Sequence, residues 1–347
     1  NNDYTSLMKY PEGKSGTSYN IPNSVTSIGE GALRQNTKLT SVTIPSSVIS
    51  IGDNAFKSAS NLTTVTFATD SALETIGEYA FSYTKIGSIT IPASVTTIGK
   101  YGFANSIYDY KKYLTSVTFA TGSALETIGD NAFYETKIVS ITIPASVTSI
   151  GDSAFREARS LTTVTFAADG SLNSIGENAF RYATELTSIT IPKSVQTIGT
   201  TAFHGGQALS SINVDPSNNN YSDVSGVLFN KAKTSLIKYP QKKPVDTTYN
   251  TTYNIPPGVT SIEAFSLYHT NDSIRIINIP NSVTEIKGPL FGDQYYRAAV
   301  HTLTIEDDST LTTIASNAFN ASLVTTIYAP QNVITGQGWS TSTTNTI

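Results

Sequence analysis

Apolar and polar residues alternate in short bursts along this chain. Leu39, Val42 and Ile44 enclose Thr40, Ser41 and Thr43, and the same six-position frame returns at residues 62–67, 86–91, 114–119 and 186–191. Within a frame the apolar positions come to a period of two, which predicts a strand with one buried and one exposed face, and the β-branched residues suit a pleated surface. A second phrase follows each frame. Ile51-Gly52-Asp53-Asn54-Ala55-Phe56 recurs from Ile76, Ile98, Ile128, Ile150, Ile175 and Ile198, with weaker copies from Ile28, Ile262, Ile286 and Ile314. From Ile28 to Ile198 the leading isoleucines lie 23, 25, 22, 30, 22, 25 and 23 residues apart. Self-similarity at such a period predicts a repeat solenoid in which each turn adds one short strand to a parallel sheet.

The residue after the strand phrase alternates: Pro45, Pro92, Pro144 and Pro192 in one set of turns, Ala68, Ala120 and Ala167 in the other. Proline has no N–H for a ladder, so it marks the strand end. The prolines stand 47, 52 and 48 residues apart, so a two-turn unit has itself been duplicated. The glycine after each leading isoleucine is expected to supply a turn with positive φ. Ala-Phe then points a small residue and a ring inward, predicting a spine of Phe56, Phe81, Phe103, Phe133, Phe155, Phe180, Phe203 and Phe319. One turn cannot bury its apolar face alone, whereas stacked turns share one core, so residues 1–347 are read as a single solenoid domain. Ile198 and Ile262 are 64 residues apart, which leaves room for an irregular turn with a hairpin-like excursion over 214–254. Its Thr234-Ser235-Leu236-Ile237-Lys238-Tyr239-Pro240 matches Thr5-Ser6-Leu7-Met8-Lys9-Tyr10-Pro11, so the sequence starts mid-repeat and further repeats are expected upstream.

The period also falls within the ~20–29 residues of leucine-rich repeats. The phrase I-P-x-S-V-x-x-I-G-x-x-A-F, the stretch D-P-S-N-N-N-Y-S-D-V-S-G-V-L-F-N at 215–230 and the L-I-K-Y-P ending at Pro240 resemble the BspA-like, or Treponema pallidum type, leucine-rich repeats over nearly all of residues 5–340. Ile327-Tyr328-Ala329-Pro330 followed by Trp339 resembles that family's closing unit, lacking the Tyr usual between Pro and Trp, so 327–347 reads as a C-terminal cap and tail. The resemblance implies a β-rich, right-handed curved superhelix with short parallel strands and short helical or irregular turns. It also implies a surface or secreted microbial protein of a kind linked to adhesion to host matrix or other bacteria. It carries over no catalytic residue.

Charged residues make up only 14% of the chain, below the ~25% of an ordinary soluble domain. Ser, Thr and Asn take their places, as in proteins that work outside the cell. The net charge is −4 and no basic run exceeds Lys111-Lys112 or Lys242-Lys243, which argues against nucleic acid or an anionic membrane as partner. Cysteine is absent, which removes disulfides, zinc fingers and thiol nucleophiles. No apolar run approaches the ~18 residues of a membrane span, and Asn1-Asn2-Asp3 opens with neither Met nor an apolar signal core, so a longer precursor is expected.

Candidate chemistry is sparse. Gly151-Asp152-Ser153-Ala154-Phe155 is nearest to a nucleophile elbow, but its fifth residue is Phe, and Ser153 fills a slot held elsewhere by Asn54 and Asn131. His204, His269 and His301 fall at unrelated repeat positions, without a second ligand at metal spacing. Asp215, Ser217, Asn219, Tyr221 and Asp223 space oxygens as calcium loops do, yet the sixth position is Asn220 and the twelfth Gly226, and the family resemblance implies a structural turn here. Glu306-Asp307-Asp308 reads as a solvated corner, and no Asp or Glu column runs along the strand face to pair carboxylates for glycoside hydrolysis. Neither enzyme activity nor a cofactor is expected.

What does form a column is hydroxylic. The third and fifth frame positions face solvent and hold Ser41/Thr43, Thr64/Thr66, Ser88/Thr90, Ser116/Thr118, Ser140/Thr142, Thr163/Thr165 and Ser188/Thr190. With strands ~4.8 Å apart and alternate residues ~6.7 Å apart, they make a regular lattice. Thr is also simply a good exposed strand residue, copied with the repeat. As a binding face, with Thr43, Thr66, Thr90, Thr118, Thr142, Thr165 and Thr190 as candidates, the lattice suits a glycan or an extended polypeptide. Ice binding is a remote further reading that curvature and the Ser substitutions weaken. Asn213, Ile276/Asn278 and Tyr328 break the columns. Outside the frame, Tyr108, Tyr110, Tyr113, Tyr221, Tyr295 and Tyr296 offer large rigid faces with polar tips, though packing on neighbouring turns is the commoner role of such rings. The expectation is a non-catalytic adhesion or interaction module, cell-surface or secreted, whose partner is an extracellular protein or glycan of a host or neighbouring microbe. The alternative is a spacer or surface-layer scaffold displaying other domains.

Overall fold

The computed structural model describes residues 4–11, 14–105, 112–243, 251–268, 274–291, 300–319, 324–330 and 333. They separate into two compact units, Asn1–Leu186 with Ser194–Phe203, and Thr187–Lys193 with His204–Ile347.

The first unit is a parallel β-solenoid. Its backbone is a nine-stranded sheet of two-residue strands in strict chain order, from Ser6–Leu7 and Ser27–Ile28 to Ser174–Ile175 and Thr197–Ile198. Each leading isoleucine pairs with the next, as Ile51 with Ile76 and Ile128 with Ile150, and Ile28, Ile51, Ile76, Ile98, Ile128, Ile150 and Ile175 are all buried. The spine forms: Phe56, Phe81, Phe103, Phe133, Phe155, Phe180 and Phe203 stack at centroid distances of 4.9, 5.2, 5.6, 5.3, 5.3 and 5.8 Å, with ring planes within 15° of parallel. Such offset stacking suits the ring quadrupole.

The glycines behave differently from expectation. Gly52, Gly77, Gly99, Gly129, Gly151, Gly176 and Gly199 do not have positive φ; the left-handed residues come two positions later, at Asn54, Tyr79, Tyr101, Asn131, Ser153 and Asn178, with φ between 53° and 58°. Glycine is needed for closeness instead. A Cβ on Gly151 would lie 2.6 Å from the Asp130 amide nitrogen and 2.8 Å from the Gly129 carbonyl carbon. The left-handed residue explains why no helix forms among this unit's described residues. It turns alternate N–H groups toward the neighbouring turn, so Asn54 donates to Glu78 O (2.7 Å) and Phe56 to Ala80 O (2.8 Å), while Ala55 and Lys57 between and after them donate three residues back, to Gly52 O and Asn54 O.

In the second unit, Ser188–Ile191 pairs in parallel with Ser211–Val214. Tyr221–Val224 and Val227–Asn230 form an antiparallel hairpin, and Ser235–Lys238 adds antiparallel to it before parallel stacking resumes through Ser261–Ile262, Glu285–Ile286 and Thr313–Ile314. The slot five residues after each leading isoleucine holds Leu267 and Phe291, both buried, and Phe319, half-buried against the same core.

Lys238 lies in that core, its Nζ donating to Phe265 O (3.3 Å) and Tyr268 O (3.2 Å). Burial brings its pKa from 10.5 down to about 7. Below pH 7 both folded and unfolded chains carry the proton and the desolvation penalty is complete. Between pH 7 and 10.5 the unfolded chain holds a proton the folded one has shed, so stability rises with pH by at most ~1.4 kcal/mol per unit. Burial raises Tyr239 and Tyr253 from 10.0, so they act only from about pH 10 upward, above the pH range of the urea test. The urea midpoint is therefore expected to climb from pH 7 to 9 in the parent, and Lys238→Met to flatten that climb; an equal slope in the variant refutes the assignment.

Candidate binding face

The alternate strands of the first unit carry the hydroxyls. Ser41–Ile44 pairs with Thr64–Phe67, Ser88–Ile91 with Ser116–Phe119, and Ser140–Ile143 with Thr163–Phe166. Register sets Thr43 beside Thr66, Thr90 beside Thr118 and Thr142 beside Thr165. Thr43 is half-buried and the other five are exposed; Thr90 Oγ1 lies 2.9 Å from Thr118 Oγ1. The threonines at the second frame position point elsewhere: Thr63, Thr115 and Thr162 hydroxyls donate to Thr40, Gly87 and Val139 carbonyls of the preceding turn. Thr190, in the second unit, is exposed beside Asn213, where the column ends. In a separate sheet of the second unit, Asn278 at the fifth frame position donates through Nδ2 to Asn254 Oδ1 (2.7 Å), an amide rung in the place of the hydroxyls.

The face is not one continuous sheet. No ladder joins Thr64–Phe67 to Ser88–Ile91, or Ser116–Phe119 to Ser140–Ile143. Within each bonded pair the last rung is an alanine N–H: Ala68 donates to Ile44 O and Ala120 to Ile91 O, both at 2.9 Å. The next turn has Pro92 or Pro144 at the corresponding place, so the Phe67 and Phe119 carbonyls meet no N–H there. Phe67 and Phe119 are half-exposed where Ile44 and Ile91 are fully buried. A cleft opens at each break, about 610 Å³ beside Phe67 and about 540 Å³ beside Phe119.

Tyr113 is half-buried with Lys85 Nζ 5.9 Å from its ring centre, and Tyr221 is half-buried in the hairpin, so neither presents a bare face. Tyr108, Tyr110, Tyr295 and Tyr296 lie outside the described residues, as do His269 and Trp339. The oxygens of the 215–230 stretch hold the chain. Asp215 Oδ1 accepts Ser217 N, Asn218 Oδ1 accepts Asn220 N and Tyr221 N, and Asp223 accepts Val214 N and Gly226 N, all within 3.0 Å. Ser153 sits buried in its left-handed turn. Among the described residues no group of three or more His, Asp or Glu is placed to hold a metal ion.

Two acidic and aromatic features escaped the sequence reading. Asp53, Asp130 and Asp152 each accept the amide of Glu78, Asp152 or Glu177 on the next turn, so this edge is a structural carboxylate ladder. Burial pushes Glu177 up, but hydrogen bonds from Thr201 and Thr200 outweigh it and hold the carboxyl below its ordinary range. Near that edge Tyr79 stacks on Tyr101 at 4.7 Å, Tyr101 meets Tyr134 edge-on at 6.4 Å, and Lys57 Nζ sits 3.8 Å from the Tyr79 ring centre. Burial, with the Glu135 charge, pushes Tyr134 up to about 12. Tyrosine at the third place after Ile76 and again after Ile98 was the available signal.

A sequence profile described as the BspA type leucine rich repeat region matches in six copies over residues 12–109, 106–233 and 245–345. A leucine rich cell surface protein from Faecalibacterium prausnitzii is 25% identical with TM-score 0.59, covering 94% of this chain and 85% of its own. The pneumococcal vaccine antigen PcpA is 22% identical with TM-score 0.55, over 97% of this chain and 90% of its own. A leucine-rich repeat protein from Bacteroides ovatus is 22% identical with TM-score 0.54, over 89% and 76%. The last two show the fold alone. No curated protein matches the sequence significantly.

Proposed function

Since the chain belongs to the BspA-type leucine-rich-repeat family, we propose that it is a non-catalytic binding module of a cell-surface or secreted protein, holding an extracellular protein or glycan against its hydroxyl face. The observation that carries this reading is the in-register pairing of exposed threonines on strands whose alternate residues, Ile89, Val117, Ile141 and Val164, are buried. A face so backed loses little conformational freedom when a ligand settles on it. The description of the Faecalibacterium prausnitzii relative as a cell surface protein supports the location. Among the described residues no helix is long and apolar enough to cross a membrane.

The test is saturable binding of the soluble chain to immobilised matrix proteins and to arrayed glycans. Thr90→Lys with Thr118→Lys is expected to weaken binding at least ~10-fold while leaving the melting temperature within a few degrees, because both side chains are exposed. A blank on both surfaces, or binding indifferent to the double variant, defeats the proposal and favours the spacer.

A further inference from the structure

We infer that the clefts beside Phe67 and Phe119 are twin subsites for one neutral polysaccharide chain, a deepening that rests on the binding-module reading. The two are built alike. Thr66, Phe67, Ala68, Thr90, Pro92 and Ala93 line the first, and Thr118, Phe119, Ala120, Thr142, Pro144 and Ala145 stand at the corresponding places in the second. Even the loop beneath is shared, with Asp70 at φ 55° in one and Gly122 at φ 75° in the other. Duplication of the two-turn unit has therefore copied a concavity as well as a fold.

The lining selects the ligand class. No charge is common to both clefts, since Asp70 is replaced by Gly122, so a ligand held by both gains nothing from carrying ions. Threonine hydroxyls donate and accept alike, and the Phe67 and Phe119 carbonyls, deprived of a proline N–H, accept. A ligand whose own polar groups are hydroxyls satisfies both without a fixed donor pattern. Each cleft also has an apolar side, Ala68, Pro92 and Ala93 in the first and Ala120, Pro144 and Ala145 in the second, against which the apolar face of a sugar ring can rest. Ser116, Thr118 and Ala120 line both clefts, so the two join across the bonded pair Ser88–Ile91 and Ser116–Phe119, and Phe67 and Phe119 stand two strands apart, roughly 10 Å or somewhat more. A polymer repeating on that scale, as one built of disaccharides does, engages both at once.

The probe is a set of neutral cello-, manno-, xylo- and malto-oligosaccharides, from disaccharide to octasaccharide, titrated calorimetrically into the full chain. At least one series is expected to bind, with affinity rising ~10-fold or more once the oligosaccharide spans both clefts. That binding should be unchanged in about 0.5 M salt, because no ion pair is involved. Ala93→Trp fills one cleft and Ala145→Trp the other. Either alone should reduce the long oligosaccharide to the affinity of a short one, and both together should abolish binding at an unchanged melting temperature. Binding that survives the double variant, or that shows no length dependence, overturns the inference. If no series binds while the chain still captures matrix protein, the glycan subsites are refuted and the binding module stands. If that capture is itself lost in the double variant, the clefts hold polypeptide. If neither ligand binds, both readings fall.

Discussion

Phe133→Ala is expected to destabilise the chain by roughly 3–5 kcal/mol. The ring is fully buried and stacks on Phe103 at 5.6 Å and on Phe155 at 5.3 Å, so truncation opens a cavity that two turns border. Each lost ring pair adds about 0.5–1.5 kcal/mol to the area term. The neighbouring backbone cannot collapse into the void, because the Phe133 N–H is tied to Ala154 O at 2.8 Å and the Phe103 N–H to Ala132 O at 2.8 Å. In a solenoid each turn contacts only its neighbours, so a weakened junction also uncouples the turns on either side. Urea unfolding should shift to a lower midpoint and broaden into two steps. Phe133→Leu, which keeps most of the volume, should cost less than half as much. Phe119→Ala should cost about 1 kcal/mol, because that ring is half-exposed at a cleft. Equal costs for Phe133→Ala and Phe119→Ala would remove the spine from its place as the main source of stability.

What was legible in the sequence was whatever repeats within one turn. The period-two frames marked the strands Ser41–Ile44 to Ser188–Ile191, and Ala-Phe marked the spine, because each pattern reports a side chain facing its own core. What stayed hidden depends on the next turn, more than 20 residues away in sequence. Gly151 looks like a turn glycine until Asp130, of the turn before, is seen pressing against it. Pro92 announces a strand end, but that it leaves the Phe67 carbonyl without a backbone N–H at a break in the face follows only once the turns are in register. The left-handed position had no single residue to betray it. Asn54 and Asn131 tolerate positive φ readily, whereas Tyr79 and Tyr101 hold it at φ 53° and 54° while stacked on each other. Nothing in the phrase around Lys238 distinguishes it from Lys9 of the matching phrase, which is exposed; only the fold shows its Nζ held by the Phe265 and Tyr268 carbonyls.

Gly151→Ala is expected to rival the loss of a spine ring, although it adds only a methyl group. Its Cβ would stand 2.6 Å from the Asp130 amide nitrogen, 2.6 Å from Asp130 Oδ1 and 2.8 Å from the Gly129 carbonyl carbon. The carboxylate can swing away, but the two backbone atoms belong to the preceding turn and cannot move alone. Ordinary contact begins near 3.4 Å, so the turns must part by more than half an ångström. Parting strains the Gly151 N–H to Ile128 O bond (2.8 Å), the Asp152 N–H to Asp130 Oδ1 bond (2.9 Å) and the Phe133–Phe155 stack together. Overpacking of a close backbone contact costs roughly 3 kcal/mol, and more where several bonds share the strain. The control is Gly87→Ala: no atom lies within 4 Å of its Cβ position and its φ is not positive, so the substitution should be neutral or stabilise by up to ~1 kcal/mol through the unfolded state. Thermal unfolding of the two variants side by side decides the matter. A lowered transition for Gly151→Ala with an unchanged or raised one for Gly87→Ala shows that glycine serves as a spacer between turns, and equal transitions return it to a conformational role.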